Sequence, residues 1–169
     1  MRSLQHSVVL VGFMGAGKST VAKCLGAFTG CDVIDVDVLI AERAGKPIPE
    51  IFRDHGENEF RKQETAAIDG LAPLPPQIID AGGGAVLRNA DSLKKLGRIV
   101  WLRGSENELW TRVENSGNRP LLDAENPRAV FSQRFAEREA IYEAVAQHVC
   151  DVDGKSPEAI ASEVFAAIS

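Results

Sequence analysis

GFMGAGKST, residues 12–20, stands directly behind the apolar run SVVLV and decides how the rest of the chain is read. Three glycines, a lysine and two hydroxyls make a poor helix and a poor strand, so the segment has another task. Gly12, Gly17, Lys18 and Ser19 satisfy G-x-x-x-x-G-K-[ST], the phosphate-cradling P-loop pattern. Glycines let backbone N–H groups face an anion with no Cβ in the way. The helix that follows adds its N-terminal donors and partial positive charge. Lys18 is then placed for the β- and γ-phosphates of a nucleotide, and Ser19 for Mg²⁺.

A P-loop alone does not choose between a switch, a motor and a small-molecule kinase. The tetrapeptide DAGG at 80–83 fits the D-x-x-G of GTPase switches, but no N-K-x-D guanine-reading motif occurs in the 169 residues. The chain has the size of one domain with its own core. Its 44% hydrophobic and 25% charged residues are globular values, which argues against disorder. A net charge of −5 argues against general nucleic-acid binding. The cations are twelve Arg to seven Lys, and Arg suits bidentate capture of carboxylate or phosphate. Cys24, Cys31 and Cys150 lack C-x-x-C spacing and are expected as reduced, mostly buried thiols. No stretch reads as a signal peptide or membrane span, so a cytoplasmic location is expected.

Short apolar runs alternate with helical patterns along the chain. Strands are expected at SVVLVG, CDVIDVD (31–37), QIIDAGGG, RIVWLRG and HVCDVD. A helix from Lys18 to Gly30 is expected to bury Val21, Cys24, Leu25 and Phe28. PEIFRDHG and ENEFRKQETAAIDGLA read as helices separated by Gly56, and ADSLKKLG as a short one. SENELWTRVENSG opens with capping-box spacing at Ser105 and Glu108. PRAVFSQRFAEREAIYEAVA is a long amphipathic helix, and SPEAIASEVFAAIS closes the chain under a Ser156 cap. Such alternation implies a parallel sheet covered by helices on both faces, with ligands beyond the carboxyl ends of the strands.

The chemistry-bearing residues fall at those ends. Asp35 and Asp37 share one face if the second strand continues through both, placed for Mg²⁺ and an acceptor hydroxyl. Gly82, Gly83 and Gly84 suit either close approach of a ligand to the backbone or a sharp turn. Arg61 opens a helix in GENEFR, and Arg112, Arg119 and Arg138 come late. Arg119 lies in ENSGNRPLLDAEN, whose Gly, Asn and Pro suit a mobile lid, where an arginine can stabilise transferred phosphate. Arg138, taken alone, reads as a surface partner of helical acids.

GFMGAGKST, DVD, GENEFR, GGGAV, RPLL and ER-x₃-Y occur in that order over essentially the whole chain. Together they resemble the shikimate kinase family. The resemblance implies one kinase domain over 1–169: a three-layer αβα P-loop fold with a five-stranded parallel sheet in order 2-3-1-4-5. It implies an acceptor-binding helical region at about 37–65 and a lid at about 114–126. The implied reaction is ATP-dependent phosphorylation of the 3-hydroxyl of shikimate, on the route to chorismate and the aromatic amino acids. ATP would be bound by Gly12, Gly15, Ala16, Gly17, Lys18, Ser19 and Thr20. Arg112 and Pro157 would flank its adenine, and Arg119 would lie over its phosphates. Mg²⁺ would be served by Ser19 and Asp35. Asp37 would bind shikimate hydroxyls as base or orienting group. Arg61 and Arg138 would hold the carboxylate against the backbone of Gly82–Gly84. Lys18, Asp37 and Arg119 form the implied catalytic set.

Asp80 falls where the resemblance implies a small or hydroxyl residue, and either stands behind the metal or points away from the site. His6, His55 and His148 show no metal spacing, and Trp101 and Trp110 read as core. Gluconate, another polyol acid, and nucleoside monophosphates are the rival acceptors. A non-catalytic nucleotide-binding relative would have lost Lys18, Asp37 or Arg119, and all three are present. No exposed apolar stripe calls for a partner, so a monomer is expected.

Overall fold

A computed structural model of the chain describes residues 4–71, 75–114 and 125–168. Its centre is β1 (Ser7–Val11), which is fully buried from Val8 to Val11. Around it lie β2 (Val33–Asp35), β3 (Ile78–Asp80), β4 (Gly97–Arg103) and β5 (His148–Asp151), all parallel, in the order β2-β3-β1-β4-β5. The chain leaves β1 toward β2 and later crosses from β3 to β4 on the other side of β1. The carboxyl end of β1 therefore opens on a crevice at the switch in strand order, where open α/β sheets bind ligands.

Helix α1 (Lys18–Thr29) begins inside the P-loop motif and stops at Gly30, whose φ of +72° turns the chain. Its buried stripe is Val21, Ala22, Leu25, Gly26 and Thr29, and Phe28 is 40% exposed, contrary to expectation. The helix is rotated so that Gly26 and Ala22 lie on the buried side together with Val21 and Leu25. A Cβ on Gly26 would stand 2.7 Å from Val33 Cγ2, so only this face lets α1 approach β2 so closely.

A second difference bears on the site. The second strand ends at Asp35, and α2 (Val36–Ala44) starts at once, so Asp35 and Asp37 do not share a strand face. Asp35 caps the new helix, its Oδ1 accepting from the backbone N–H of Asp37 (3.0 Å) and Val38 (3.2 Å). A free carboxylate that can satisfy two orphan N–H groups ends the strand there.

Helix α3 (Ile48–Asp69) is broken as expected at Gly56, with φ +77°. Helix α4 (Val86–Leu96) starts a turn before the expected segment, with Asn89 off helical geometry. Then come α5 (Glu106–Glu114), α6 (Pro127–Val145) and α7 (Pro157–Ile168). Ser105 and Ser156 accept from Glu108 and Ala159 N–H, as the caps predict. Cys150 is buried and Cys24 and Cys31 are half-buried; all three are free. Trp101 is buried, and Trp110 packs against the core edge-on to Phe131.

Candidate active site

The P-loop joins β1 to α1 with positive φ at Gly15 (+85°) and Gly17 (+82°). Ala16 is buried and its N–H donates to Phe13 O, which closes the loop. Thr20 is exposed on the first turn of α1. Lys18 Nζ donates to Gly12 O (3.0 Å) and Phe13 O (3.4 Å), so its ammonium lies across the loop. Ser19 Oγ donates to Asp80 Oδ2 at 2.6 Å. Asp80, 3% exposed at the end of β3, also accepts the Gly82 N–H at 3.1 Å. Its side chain is turned toward Ser19 and the P-loop, not away from them. Asp35 stands opposite Asp80 in the β2–β3 register.

Asp37 sits in the first turn of α2, with its carboxylate beside the glycine run. A Cβ on Gly82 would lie 3.3 Å from Asp37 Oδ1, and Gly82 itself needs its φ of +73° for the turn out of β3. Burial, followed by the negative charges of Asp35, Glu64 and Asp80, pushes the Asp37 carboxyl up to about 6, with Lys18 pulling the other way.

Arg61 and Arg138, the arginines expected to hold the acceptor's carboxylate, both meet the same run. A Cβ on Gly84 would stand 2.8 Å from the Arg61 Nη atoms, so this glycine makes room for a guanidinium. Arg138 Nη1 donates to Gly83 O at 2.7 Å, which replaces the surface role its helix position suggested. Three successive glycines therefore form one wall, with Asp37, Arg138 and Arg61 arrayed along it.

Glu64 was missed in the sequence. It is 2% exposed, and both its oxygens accept from Arg61 Nη1 at 3.0 Å. Burial raises its carboxyl, while Arg61 and then Arg138 and Arg88 oppose that. Asn89 Nδ2 donates to it as well, and Asn89 Oδ1 accepts from Thr65 Oγ1. The i, i+3 spacing of Arg61 and Glu64 is the signal that could have found it.

Beside the P-loop, Arg112 donates to Gly15 O, to Glu108 Oε1 and to Val152 O. It ties the P-loop to the connection between β5 and α7, which runs into Pro157. Arg119, the RPLL motif and most of the expected lid lie outside the described residues. Among the described residues no three His, Cys, Asp or Glu side chains cluster as a metal cage. His6 and His55 are exposed and His148 starts β5.

A P-loop at the switch point, facing a glycine wall set with a carboxylate and two guanidiniums, defines a small-molecule phosphotransferase whose acceptor carries acid and hydroxyl groups. The sequence model of the shikimate kinase family matches residues 14–169. A shikimate kinase of Thermodesulfovibrio yellowstonii is 41% identical over 161 residues, covering 94% of this chain and 92% of its own. The structure of a shikimate kinase from Acinetobacter baumannii in complex with shikimate superposes with a TM-score of 0.91 at 32% identity, over 96% of this chain and 92% of that one. A gluconokinase from Sinorhizobium meliloti (TM-score 0.64, 20% identity, 99% and 93% covered) shares the fold alone. The chain belongs to the shikimate kinase family: it is an enzyme that phosphorylates shikimate with ATP, in aromatic biosynthesis.

Proposed function

We propose that this site carries the γ-phosphoryl group of ATP to the 3-hydroxyl of shikimate, with the following division of work. The backbone from Gly12 to Thr20 and the Lys18 ammonium hold the β- and γ-phosphates, Arg112 and Pro157 flank the adenine, and Arg119 adds charge over the phosphates. Arg61 and Arg138 bind the shikimate carboxylate, each charge-assisted bond contributing about 1.5–3 kcal/mol. The glycine wall lets the ring lie against backbone. Asp37 orients the attacking hydroxyl and takes its proton; near pH 7 a carboxyl raised to about 6 is mostly ionised and still basic enough to accept. Phosphoryl transfer asks mainly for alignment and charge stabilisation, which these groups supply.

The donor chemistry fits Mg²⁺. Ser19 Oγ, Asp35 and Asp80 are all hard oxygen groups at the ends of adjacent elements, and Ser19 and Asp80 already share a 2.6 Å hydrogen bond. Ser19 and Asp35 would hold the ion, with Asp80 behind Ser19. When bound, Mg²⁺ neutralises charge on the phosphate oxygens.

The observation that carries the proposal is the arrangement of Asp37, Arg138 and Arg61 along Gly82–Gly84 beside Lys18. A coupled ADP-release assay tests it, with MgATP and shikimate, gluconate, AMP or no acceptor. Turnover with shikimate alone is expected. Equal turnover with gluconate would remove the assignment of the acceptor site.

The enzyme acts as a cytoplasmic monomer on this proposal. Among the described residues the exposed large apolar side chains, Phe28, Val33, Val38, Phe52, Leu87 and Val149, are spread over six elements. Among the described residues no helix is long and apolar enough to cross a membrane. Light scattering across a concentration series checks the monomer.

A further inference from the structure

Two donors from one helix converge on the Gly83 carbonyl: Arg138 Nη1 at 2.7 Å and Tyr142 Oη at 2.6 Å. Arg138 and Tyr142 are four residues apart on α6, so they project from the same face, one turn apart. Their surroundings differ. Arg138 is half-buried, and among the described residues no carboxylate lies within ion-pair distance of it. Its guanidinium donates to the Gly83 carbonyl beside the Tyr142 hydroxyl, with the Phe13 ring 6.0 Å away and the Glu64 carboxyl within electrostatic reach. Tyr142 is 1% exposed and packed against Trp101, with ring centroids 5.9 Å apart. Burial raises its phenol to about 12, so the hydroxyl keeps its proton and donates across the working pH range.

We propose that Tyr142 is a positioning residue for the acceptor site: its hydroxyl pins the Gly83 carbonyl to α6, and so holds the glycine wall and Arg138 in register for shikimate. The inference rests on the assignment of that wall to the acceptor.

Two consequences follow from the geometry. The Gly83–Gly84 peptide is planar and trans, so a carbonyl pinned toward α6 directs the Gly84 N–H away from α6. Three glycines in a row carry no side chains to fix their own peptide planes, and an outside donor supplies that constraint. Second, Arg138 cannot serve as the anchor by itself. On the proposed assignment its guanidinium also serves the shikimate carboxylate, and any turn of the fork toward that group draws the Nη1 donor from Gly83 O. Tyr142 has no such second duty. Its hydroxyl keeps the carbonyl satisfied while Arg138 changes partner, so binding does not leave a buried carbonyl unpaired.

Tyr142→Phe removes the hydroxyl and keeps the ring. The KM for shikimate is expected to rise roughly three- to tenfold, the effect of losing one good hydrogen bond. KM for ATP and kcat should stay within about twofold. A lower Tm with both KM values unchanged would mean a merely structural hydroxyl and overturn the inference, as would an equal rise in both KM values. Trp101→Phe, which loosens the packing but keeps the hydroxyl, should lower Tm and leave the shikimate KM alone; a matching rise in KM would also overturn it.

A further test needs no variant at this position. Tyr142 is the single tyrosine of the chain, so protein grown on 3-fluorotyrosine reports on this hydroxyl by ¹⁹F NMR. The resonance should move on adding shikimate and move less on adding ADP. A resonance indifferent to shikimate counts against the inference. Arg138→Lys, run in parallel, separates the two levels: a raised shikimate KM there with none in Tyr142→Phe defeats only the role of Tyr142, whereas no effect in Arg138→Lys defeats the acceptor-site assignment and this inference with it.

Discussion

Ser19 and Asp80 are 61 residues apart in sequence and share a 2.6 Å hydrogen bond between the first turn of α1 and the end of β3. The other oxygen of Asp80 accepts the Gly82 N–H in the turn that leaves β3. One buried carboxylate thus fixes both the P-loop hydroxyl and the start of the glycine wall. Asp80→Ala removes both anchors. A hydrogen bond to a charged group contributes about 1.5–3 kcal/mol, so affinity for MgADP should fall tenfold or more. Calorimetric titration with ADP, with and without Mg²⁺, checks this. A loss of equal size without Mg²⁺ would show that Asp80 shapes the P-loop without serving the metal.

The Asp37 carboxyl predicts two opposite pH effects. Its folded value of about 6 lies above the ordinary 3.8, so between about pH 4 and 6 the folded state binds more protons than the unfolded one. Stability contributed by this group is therefore present at low pH and lost as pH rises through that window. In metal-free protein, Asp37→Asn should gain Tm over the parent near pH 7 and show little gain near pH 4. Activity runs the other way. The parent's kcat/KM for shikimate should rise with an inflection near 6, while the Asn variant loses that limb and roughly 10²–10³ in turnover. Full turnover in Asp37→Asn would sink its role as base or orienting group.

Glu64 holds Arg61 from beneath, with Arg61 only 10% and Glu64 2% exposed at the side chain. Removing one member of a buried pair leaves the other without compensation, at a cost of about 3–5 kcal/mol. Glu57 remains 3.3 Å from Arg61 and should keep Glu64→Ala toward the low end of that range. Urea unfolding measures the loss. Glu64→Gln keeps the shape, so it should raise the KM for shikimate several-fold at much smaller loss of stability. A Gln variant with unchanged KM would reduce Glu64 to a stabilising role.

How much of this could be read from the chain alone depends on the range of the physics involved. The P-loop and the sheet are local patterns: a glycine–lysine signature between an apolar strand and a helix, then repeated strand–helix alternation. Both stand in the structure where residues 8–29 and the later runs place them. Asp35, Asp80 and the glycines after it stand at strand ends, where the sequence pattern places them. What failed was long-range or competitive. Asp37 falls on a helix because the Asp35 side chain captures two N–H groups that a strand reading leaves out. Phe28 faces outward because Gly26 must face Val33 across the α1–β2 contact, which no helical periodicity reveals. Glu64 meets Arg61 at a spacing that every helix offers to many pairs, so the spacing alone does not single it out. Tyr142 meets the Gly83 carbonyl 59 residues away, and a partner chosen by the fold leaves no mark in local spacing.

Gly84 gives the sharpest test of the wall. A methyl group there would stand 2.8 Å from both Nη atoms of Arg61 and 3.2 Å from its Cζ, closer than carbon and nitrogen tolerate. Arg61 cannot swing clear at no cost, because Glu64 and Glu57 hold its guanidinium. Gly84→Ala should therefore displace Arg61 by a fraction of an ångström and raise the KM for shikimate on the order of tenfold, with KM for ATP within about twofold. Misplacement of about 1 Å in a binding group is known to cost up to 10²-fold. If the methyl acts through Arg61, its effect must depend on that side chain. In an Arg61→Ala background the same Gly84→Ala change should cost little, because the steric conflict is gone and the two substitutions share one mechanism. Steady-state kinetics on the four proteins of this double-mutant cycle provide the measurement. Strict additivity would show that Gly84 acts on substrate or backbone directly, independent of the guanidinium it faces.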